Sequence, residues 1–478
     1  MKYYLGIDLG TTGTKTLLFD QNGKVLGKGY KGYDLITPCE NFYEQSPNDW
    51  YDAVVESVKL AVCGFDGQIT ALSVSSQGGS FVFCDVDNNN NLIPLTNAIT
   101  WLDKRAEVEA NEINEKVYKI TGEYTHGASA ISKILWVKKH EPQIFNQTKL
   151  ILSTSDYIYY LLTGNAVIDT TSASMMDVFD NKNLVWNNDL LSIISLTTSN
   201  LAKIVTAGDF VGKANSKFLT DTGIKGEVNV YAGLHDQFAA SLANTYFNEN
   251  DLIISTGTTW VAFIRNKDKK CGPFFIRKHP DGGYAYFISA ISSGTVLEWT
   301  KNNYNIDYKE MDELAKNCKI DENLLVYPFI SGNGSYRGKN NLTYSVEGAT
   351  FKHSKGDVFK ATMEGVAFEI KQIYNIFLEK GFNIGNVIVT GGATRSDVWM
   401  AILSDVLNKP LYLSKNADGC CFGAYSVAKK GFSGNYAKFE FDGKIVTPNL
   451  ENAKIYDKKF TKYNQNLKYK GENYGTLR

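Results

Sequence analysis

Apolar runs separated by turn-forming residues divide the start of the chain into short strands and one helix. The Asn22-Gly23 pair predicts a hairpin turn, because both residues tolerate positive φ. Apolar residues at helical spacing predict a helix over Trp50–Cys63. The apolar runs predict strands at Tyr3–Ile7, Lys15–Phe19, Val25–Tyr30, Ile69–Val74 and Phe81–Cys84.

The same alternation of strands and helices continues along the chain and predicts an α/β protein. Further strands are predicted at Val228–Ala232 and from Val387, and further helices at Ala106–Val117, Val358–Leu378 and Asp397–Leu407. The segment from Phe432 is rich in Tyr, Lys and Asn, and it predicts only a short terminal helix and a tail.

The turn of the first hairpin has the composition of an anion site. Glycines let backbone amides approach a phosphate, and threonine hydroxyls add donors. Asp8 would repel a phosphate directly, so its presence favours a Mg²⁺ ion between the two. An ordinary Gly/Thr-rich hairpin turn is the alternative. The residues offered to the phosphate are Gly10, Thr11, Thr12, Thr14 and Lys15.

A second copy of this hairpin pattern starts 247 residues later and favours the phosphate site. An apolar strand leads into Gly257, Thr258 and Thr259, and another apolar strand follows. The second copy lacks the acidic residue, so only the first copy is expected to hold a metal. The repeat predicts two similar domains whose turns grip one polyphosphate.

Two further strand ends carry candidate chemistry. Asp236 stands where the strand Val228–Ala232 runs into a helix, and it is either an N-cap or a general base. Gly391 and Gly392 follow a buried strand, and they form either a tight β–α turn or a surface for a nucleotide.

Together these motifs resemble the FGGY family of carbohydrate kinases, within the actin-like ATPase superfamily, from Tyr3 to about Lys430. The resemblance implies two actin-like (ribonuclease H-like) α/β domains around a central cleft, with ATP and Mg²⁺ as cofactors. The domains are expected at residues 1–245 and 246–478. Asp236 would be the catalytic base, and the nucleotide would lie near Gly294, Glu298, Gly391, Gly392, Ala393 and Ser396.

The resemblance also implies a sugar site, where the sequence departs from the family pattern. Gln77 is followed by Gly78 and Gly79, where typical xylulokinases have Met-His and typical glycerol kinases have Arg-Glu. The glycine pair would admit a bulkier substrate, offer backbone amides, or form a plain flexible turn. Gln237 follows Asp236 directly, as in glycerol kinases, and is expected to bind a sugar hydroxyl, while His235 is expected to point away.

A second segment resembles the family's Trp-x-Asp-x-Arg pattern near the sugar. Asp103 would accept hydrogen bonds from sugar hydroxyls, or it would pair with Arg105 at a helix start. Lys133 and Trp136 match a family signature, and this helix is expected to be mainly structural.

Charge and cysteine content indicate which classes of partner and which cellular compartment the protein is expected to have. The net charge of −1 over 478 residues gives no field that would favour nucleic acid or an anionic membrane. Asp8 falls where the apolar core of a signal peptide would lie, and no apolar run has transmembrane length. Seven cysteines without CxxC pairing favour reduced thiols in the cytoplasm. Self-association into a homodimer is left open.

These features predict ATP-dependent phosphorylation of a hydroxyl of a small carbohydrate. A xylulose-like ketose is the first expectation, and a polyol of the glycerol or erythritol type is the second. An actin- or chaperone-type ATPase and a sugar sensor without activity are the alternatives from other classes.

Overall fold

A computed structural model describes residues 1–243, 250–280, 282–333, 336, 342–414 and 418–475, with side chains up to residue 467. The chain forms two compact units. The first comprises Met1–Thr245, Lys278–Asp281 and Asp418–Phe439, and the second comprises Tyr246–Arg277, Gly282–Ala417 and Glu440–Arg478. The predicted domain division at residues 245/246 lies outside the described residues and stays a prediction.

The elements of the first part of the chain alternate between strands and helices. They are β1 (Tyr3–Leu9), β2 (Gly13–Asp20), β3 (Val25–Gly32), β4 (Glu44–Gln45), α1 (Pro47–Ala61), β5 (Ile69–Ser76), β6 (Phe81–Val86), β7 (Leu92–Pro94), β8 (Ala98–Ile99), α2 (Glu107–Thr121), α3 (Ala130–His140), α4 (Pro142–Gln147), β9 (Leu150–Ser153), α5 (Thr154–Thr163), β10 (Val167–Asp169), α6 (Thr170–Ala173), β11 (Phe179–Asp180), β12 (Val185–Trp186), α7 (Asn188–Ile193), β13 (Lys203–Val205), β14 (Phe210–Lys213), α8 (Ser216–Thr222), β15 (Asn229–His235) and α9 (Asp236–Ala243).

The elements of the remaining chain follow the same alternation. They are β16 (Leu252–Thr256), β17 (Trp260–Asn266), β18 (Phe275–Lys278), β19 (Tyr284–Ala290), α10 (Ser293–Tyr304), α11 (Tyr308–Lys316), β20 (Leu325–Tyr327), β21 (Ser345–Glu347), α12 (Lys355–Glu379), β22 (Val387–Gly391), α13 (Asp397–Leu407), β23 (Leu411–Ser414), α14 (Gly419–Ser433), β24 (Gly443–Val446) and α15 (Leu450–Gly475).

The main sheets of the two units share one strand order, which supports the internal repeat seen in the sequence. The first sheet runs β14-β15-β5-β1-β2-β3, and β1 is antiparallel to β2 but parallel to β5. The second contains the run β19-β17-β16-β22-β23-β24, and β16 is antiparallel to β17 but parallel to β22. The two glycine-threonine turns therefore occupy equivalent places in the two sheets.

Helix α1 shows how the sequence fixes local packing in the first unit. Ser46 caps the helix by accepting from the Asp49 amide, and Pro47 starts it. Side chains at Gly27 and Gly29 would overlap the Ala61 and Ser57 carbonyl oxygens, so glycine in β3 lets the helix lie close to the strand.

Helix α14 returns to the first unit after β23 of the second unit. It packs on β1 at Gly6, where a side chain would overlap the carbonyl oxygen of Cys421. It packs on α9 at Gly423, whose side chain would overlap the Ala239 carbonyl oxygen. A late segment of sequence thereby buttresses the strand that carries Asp8 and the helix that begins at Asp236.

The C-terminal segment is more ordered than its composition predicts. The expected short terminal helix is wrong: β24 pairs with β23, and α15 runs for 26 residues. Tyr456, Phe460 and Tyr463 of α15 join the hydrophobic core of the second unit, and tertiary burial outweighs the polar composition. Within the described ranges, no helix has the length and apolar character needed to cross a membrane.

Candidate active site

The carboxyl ends of three parallel strands bring Asp8 and Asp236 to one edge of the first sheet. Asp8 in β1 is level with Ser75 in β5, and Ser76 is level with His235 at the end of β15. Asp236 follows directly as the first residue of α9. This edge is where α/β sheets usually carry their sites.

Asp8 is electrostatically strained at this edge. Its Oδ1 atom is buried and has no hydrogen-bond partner. Burial, and after it the negative charge of Asp236, raise the pKa of Asp8 to about 7, although Lys15 and the Ser75 hydroxyl oppose the shift. A buried acceptor among negative charges favours a cation as its missing partner.

Asp236, like Asp8, has a carboxylate oxygen without a hydrogen bond. Its Oδ1 atom is buried without a hydrogen-bond partner, although the side chain is 29% exposed. The backbone carbonyl of Asp236 accepts from Cys420 Sγ at 3.5 Å, which ties the residue to α14. The backbone of Asp236 is therefore fixed at the start of α9, while its carboxylate stays available to a ligand.

His235 does not point away from the site, and that prediction is wrong. Its Nε2 atom lies 3.2 Å from Asp236 Oδ1. The cause is a β-bulge: between Tyr231 and Leu234 the strand β15 gains one residue relative to β5. An extra residue reverses the alternation of side chains beyond it.

The predicted sugar-binding pair Gly78 and Gly79 lies beside that histidine. A Cβ at Gly78 would collide with the His235 ring and would lie 2.8 Å from Met175 Cγ. Gly79 has a φ of +70°, which glycine adopts without strain. The glycines do not enlarge the site at position 78, since His235 and Met175 occupy that space.

Residues of the first turn hold one another through the backbone. Gly10 donates to the Gly13 carbonyl at 3.1 Å, and the Gly10 carbonyl accepts from the Tyr33 hydroxyl. The Thr12 carbonyl accepts from Tyr30 Oη at 3.2 Å. Thr12 is exposed at the tip of the turn, and Thr14 is fully buried.

Gln77 belongs to a buried amide network that the sequence analysis did not identify. Its Nε2 donates to Gln45 Oε1 at 2.8 Å, and Gln45 Nε2 donates to the Thr11 carbonyl. Gln77 Oε1 is buried without a partner, and the Thr11 hydroxyl accepts from Trp101 Nε1 at 3.1 Å. The network joins the predicted sugar residue Gln77 to the predicted phosphate turn.

Lys15 is part of an ion pair within the first unit. Its Nζ lies 2.7 Å from Asp418 Oδ1, and Lys28 Nζ lies 2.9 Å from Asp418 Oδ2. Burial lowers the pKa of Lys15, but the hydrogen bond and charge of Asp418 outweigh it and raise the pKa overall. The Lys15 side chain is 29% exposed, so it remains reachable by a phosphate.

Asp103 is fully buried and its oxygens have protein partners. Arg105 binds it through Nε at 3.0 Å and through Nη2 at 2.8 Å, and the Tyr43 amide donates at 2.8 Å. Arg105 also binds Glu44 and lies 4.0 Å from the centre of the Phe42 ring. This geometry favours the alternative of an ion pair over a direct sugar contact.

Lys133 binds backbone carbonyls close to Asp103 and Gly79. Its buried Nζ donates to the Thr100 carbonyl at 2.8 Å and to the Gly79 carbonyl at 3.3 Å. Burial lowers the pKa of Lys133 to about 8, and the charge of Asp103 opposes that shift. Lys133 therefore fixes the backbone of Gly79, in accord with the structural role expected for its helix.

In the second unit, the predicted nucleotide residues around the repeated turn lie together. A Cβ at Gly294 would overlap the Gly257 carbonyl oxygen and would lie 3.0 Å from Thr258 Cα. The Thr295 amide donates to the Thr258 carbonyl at 3.0 Å. Thr259 Oγ1 donates to the Ile291 carbonyl at 3.3 Å. The start of α10 thus sits directly on the turn.

The second glycine pair meets the end of the same strand. Thr256 is level with Gly391 in the parallel pairing of β16 and β22, and the Ala393 amide donates to Thr256 Oγ1 at 3.2 Å. Gly391 has a φ of +100°, and a Cβ there would lie 2.5 Å from the Thr256 carbonyl oxygen. Gly392 has room, since its nearest contact would be 3.8 Å.

Two predicted nucleotide residues are engaged with protein side chains. Ser396 caps α13 and donates to Asp312 Oδ1 at 2.8 Å. Glu298 pairs with Lys301 at 2.8 Å and accepts from the Tyr308 hydroxyl, and its side chain is 49% exposed.

Gln237, which is predicted to bind the sugar, is half-buried next to Asp236.

Cys420 and Cys421 behave as packing residues. All seven cysteines are free, and Cys420 and Cys421 lie in α14 against the edge that carries Asp8 and Asp236. Burial raises the pKa of both thiols well above the ordinary value, which opposes thiolate chemistry. Over the described ranges, no cluster of three or more His, Cys, Asp or Glu side chains could hold a metal by itself.

Known carbohydrate kinases resemble this chain in sequence and in fold. A xylulose kinase of Bacillus subtilis is 27% identical over 446 residues, which cover 90% of this chain and 88% of that protein. A gluconokinase of Bacillus licheniformis is 27% identical over 486 residues, covering 95% and 94%. The crystal structure of a ligand-bound xylulose kinase from Lactobacillus acidophilus has a TM-score of 0.89, 25% identity and full coverage of both chains.

Family models match nearly the whole length. The N-terminal domain of the FGGY family of carbohydrate kinases matches residues 3–243, and its C-terminal domain matches residues 252–430. These matches confirm the α/β fold of two actin-like domains and set aside a chaperone- or filament-type ATPase. The chain therefore belongs to the FGGY family of carbohydrate kinases and is an ATP-dependent phosphotransferase that acts on a sugar.

Proposed function

We propose that this kinase phosphorylates a hydroxyl of a small neutral sugar, a xylulose-like ketose, with Asp236 as the general base and Mg²⁺ at Asp8. The observation that carries the proposal is the pair of carboxylates at one sheet edge. Asp8 and Asp236 each have a buried oxygen without a hydrogen-bond partner. Burial and the nearby negative charge of Asp236 raise the pKa of Asp8, so the pair favours a cation and a hydroxyl as its missing ligands.

Asp236 is suited to take the proton of the attacking hydroxyl. An ionised carboxylate accepts hydrogen bonds only, and Asp236 Oδ1 accepts none in the structure, although His235 Nε2 lies 3.2 Å away. The residue is held by its backbone carbonyl and by its place at the start of α9, so the carboxylate is oriented before substrate arrives. Phosphoryl transfer needs mainly such positioning and charge neutralisation.

Asp8 fits a Mg²⁺ ion that arrives with ATP. Mg²⁺ prefers one or two carboxylates together with water and phosphate oxygens, so a ready-made cage of protein ligands is not needed. The ion would neutralise charge on the phosphates during transfer. Lys15 is held beside Asp8 by Asp418 and would supply a second positive charge.

The nucleotide is assigned to two groups of residues. In the first unit, Gly10, Thr11, Thr12, Thr14 and Lys15 would face the phosphates. In the second unit, the residues that would contact the nucleotide are Gly257, Thr258, Thr259, Gly294, Glu298, Gly391, Gly392, Ala393 and Ser396. The room at Gly392 and the close packing of Gly294 on the turn support the second group.

A neutral acceptor suits the segments assigned to the sugar better than a sugar acid does. The two buried cations there are already engaged, since Lys133 binds two carbonyls and Arg105 binds Asp103 and Glu44. Gln77 Oε1 has no protein partner and suits a hydroxyl. Gln77, Gly78, Gly79 and Gln237 are therefore assigned to the sugar. Asp103 is kept as a weaker candidate.

Other substrates and the cellular setting complete the proposal. A polyol of the glycerol or erythritol type is the second candidate, and gluconate is the test case for a sugar acid because relatives carry that name. Residues 1–245 are assigned to the sugar site and to the hairpin that would bind phosphate and metal, and residues 246–478 to the nucleotide site. Seven free cysteines support a cytoplasmic enzyme. A homodimer is an expectation that light scattering would test.

The deciding experiment measures ADP release from ATP and Mg²⁺ against a panel of ketoses, polyols and sugar acids. Stimulation by one neutral ketose is expected, with kcat falling about 10²- to 10⁴-fold in Asp236→Asn. Asp221→Asn is the matched control, because Asp221 pairs with Lys217 at the surface of the same unit. Strongest stimulation by gluconate would overturn the acceptor class. Sugar-independent turnover that survives Asp236→Asn would overturn the assigned base.

A further inference from the structure

The position of the His235 ring leaves no room for a side chain at residue 78. A Cβ at Gly78 would collide with the imidazole and would lie 2.7 Å from its Nε2 atom. The bulge in β15 is what turns His235 toward Gly78. Residue 78 can therefore be glycine only, as long as the ring stays where it is.

The imidazole is buried but incompletely bonded. His235 is 7% exposed, and its Nδ1 atom has no hydrogen-bond partner. Its Nε2 lies 3.2 Å from Asp236 Oδ1, and the ring packs edge-on against Phe238 with the ring centres 6.1 Å apart. The ring nitrogen that faces Asp236 and Gly78 is therefore Nε2, and a hydroxyl bound beside Asp236 would meet this atom.

We propose that His235 is a sugar-binding residue that helps to select the acceptor, by bonding a hydroxyl next to the one that reacts. This inference rests on the proposed role of Asp236 as the base. In a neutral imidazole one ring nitrogen donates and the other accepts, so Nε2 can bond one sugar hydroxyl as donor or as acceptor, according to the tautomer. Its position between Asp236 and Gly78 puts it at the junction of the assigned base and the assigned sugar loop.

A purely structural histidine is the competing explanation, and the chain supplies a control for it. His279 is also buried and also packs against Phe238, with ring centres 5.8 Å apart. Its Nε2 lies 3.3 Å from Ser241 Oγ. Removing either ring opens a similar cavity beside Phe238, but only His235 is assigned to the sugar.

The experiment compares His235→Ala, His235→Asn and His279→Ala in the full chain. The measured quantities are kcat/KM for the sugar, KM for ATP and the thermal midpoint. His235→Ala is expected to lower kcat/KM for the sugar about tenfold to a hundredfold, with KM for ATP within about twofold. His235→Asn should recover part of the loss, because an amide keeps a donor and an acceptor. His279→Ala should leave both kinetic quantities near wild type.

Two additions separate contact with the sugar from an effect transmitted through Asp236. Deoxy analogues of the sugar, each lacking one hydroxyl, should lose kcat/KM wherever the wild type contacts that hydroxyl, and His235→Ala should abolish the penalty at one position and leave the others unchanged. Gly78→Ala should reproduce the loss of His235→Ala, and the double variant should be no worse than either single variant, because the methyl group then fills the vacated space.

The outcomes distinguish this inference from the proposed function. Unchanged sugar kinetics in folded His235→Asn, with only the thermal midpoint lowered, would overturn the role of His235 and leave Asp236 as the base. Equal loss for every deoxy analogue in wild type and variant would likewise overturn it. Failure of the wild type to phosphorylate any sugar would refute the proposed acceptor and this inference together.

Discussion

Lys15 Nζ lies 2.7 Å from Asp418 Oδ1, which ties the first glycine-threonine hairpin to the start of α14. The two residues are far apart in sequence but belong to one compact unit. Lys28 binds the other oxygen of Asp418 at 2.9 Å. One carboxylate thus holds two lysines, of which only Lys15 is level with Asp8 in the sheet.

Lys15→Met is expected to raise KM for ATP about tenfold or more, because a charged hydrogen bond to phosphate is lost. Lys28→Met is the matched control, since Lys28 shares the same partner but is 55% exposed. It should change KM for ATP less than about twofold, because an exposed ion pair contributes little. Equal effects of the two substitutions, measured by steady-state ADP release, would reduce Lys15 to a structural ion pair.

Asp8→Asn is expected to abolish most of the activity and yet stabilise the protein at pH 8. Burial raises the pKa of Asp8 to about 7, whereas an unfolded aspartate titrates near 3.9. The folded protein therefore keeps a proton between about pH 4 and pH 7, and stability is lost as the pH rises through 7. Asparagine carries no charge, so it should gain about 2 to 4 kcal/mol at pH 8 and little at pH 4.

The measurement is urea denaturation without nucleotide at the two pH values. Asp418→Asn provides a contrast of opposite sign: burial raises the pKa of Asp418, but Lys15 and Lys28 outweigh it and lower the pKa overall. Its contribution is present above about pH 4 and is lost as the pH falls, so Asp418→Asn should destabilise at pH 8. A destabilised Asp8→Asn at pH 8 would contradict the strained carboxylate.

The hydrophobic pattern predicted the two glycine-threonine hairpins and the helices α1, α2, α12 and α13 closely, because the hairpin strands are nearly continuously buried and these helices bury one apolar face. It did not predict the orientation of His235, which depends on one extra residue in β15. Gly233 was the available signal, since glycine inside a strand often marks a bulge. The Gln77–Gln45 network and the Lys15–Asp418 pair were missed because each joins residues that only the fold brings together.

Asp103→Asn is expected to act on stability more than on sugar binding. Arg105 would lose its two-pronged carboxylate partner and keep only its ion pair with Glu44, at a cost of about 1.5 to 3 kcal/mol. Arg105→Lys should destabilise comparably, because lysine cannot make both contacts. Thermal unfolding and sugar KM are measured together. A raised sugar KM with an unchanged midpoint would instead favour the direct sugar contact.

Gly391→Ala and Gly392→Ala separate a tight turn from a nucleotide surface. Gly391 has a φ of +100° and would place a Cβ 2.5 Å from the Thr256 carbonyl, so alanine should destabilise the second unit. Gly392 has room for a methyl group within the protein. Gly392→Ala should therefore fold normally but raise KM for ATP, if adenosine lies against it. Normal folding with wild-type KM would assign the pair to the turn alone.

Lys459→Met tests how α15 secures the second unit. Lys459 and Glu364 are 2% and 1% exposed, and Glu364 receives hydrogen bonds from Lys459 and from the Tyr456 hydroxyl. Removing the lysine leaves a buried carboxylate without its cation, which should cost about 3 to 5 kcal/mol. Lys355→Met is the control on the same helix as Glu364, because its pair with Glu310 is exposed, and it should cost less than about 1 kcal/mol. The double variant Glu364→Gln, Lys459→Met should recover part of the loss, since no buried charge remains. Urea unfolding of the four proteins decides the matter, and equal losses for Lys459→Met and Lys355→Met would show that α15 is held by its apolar face alone.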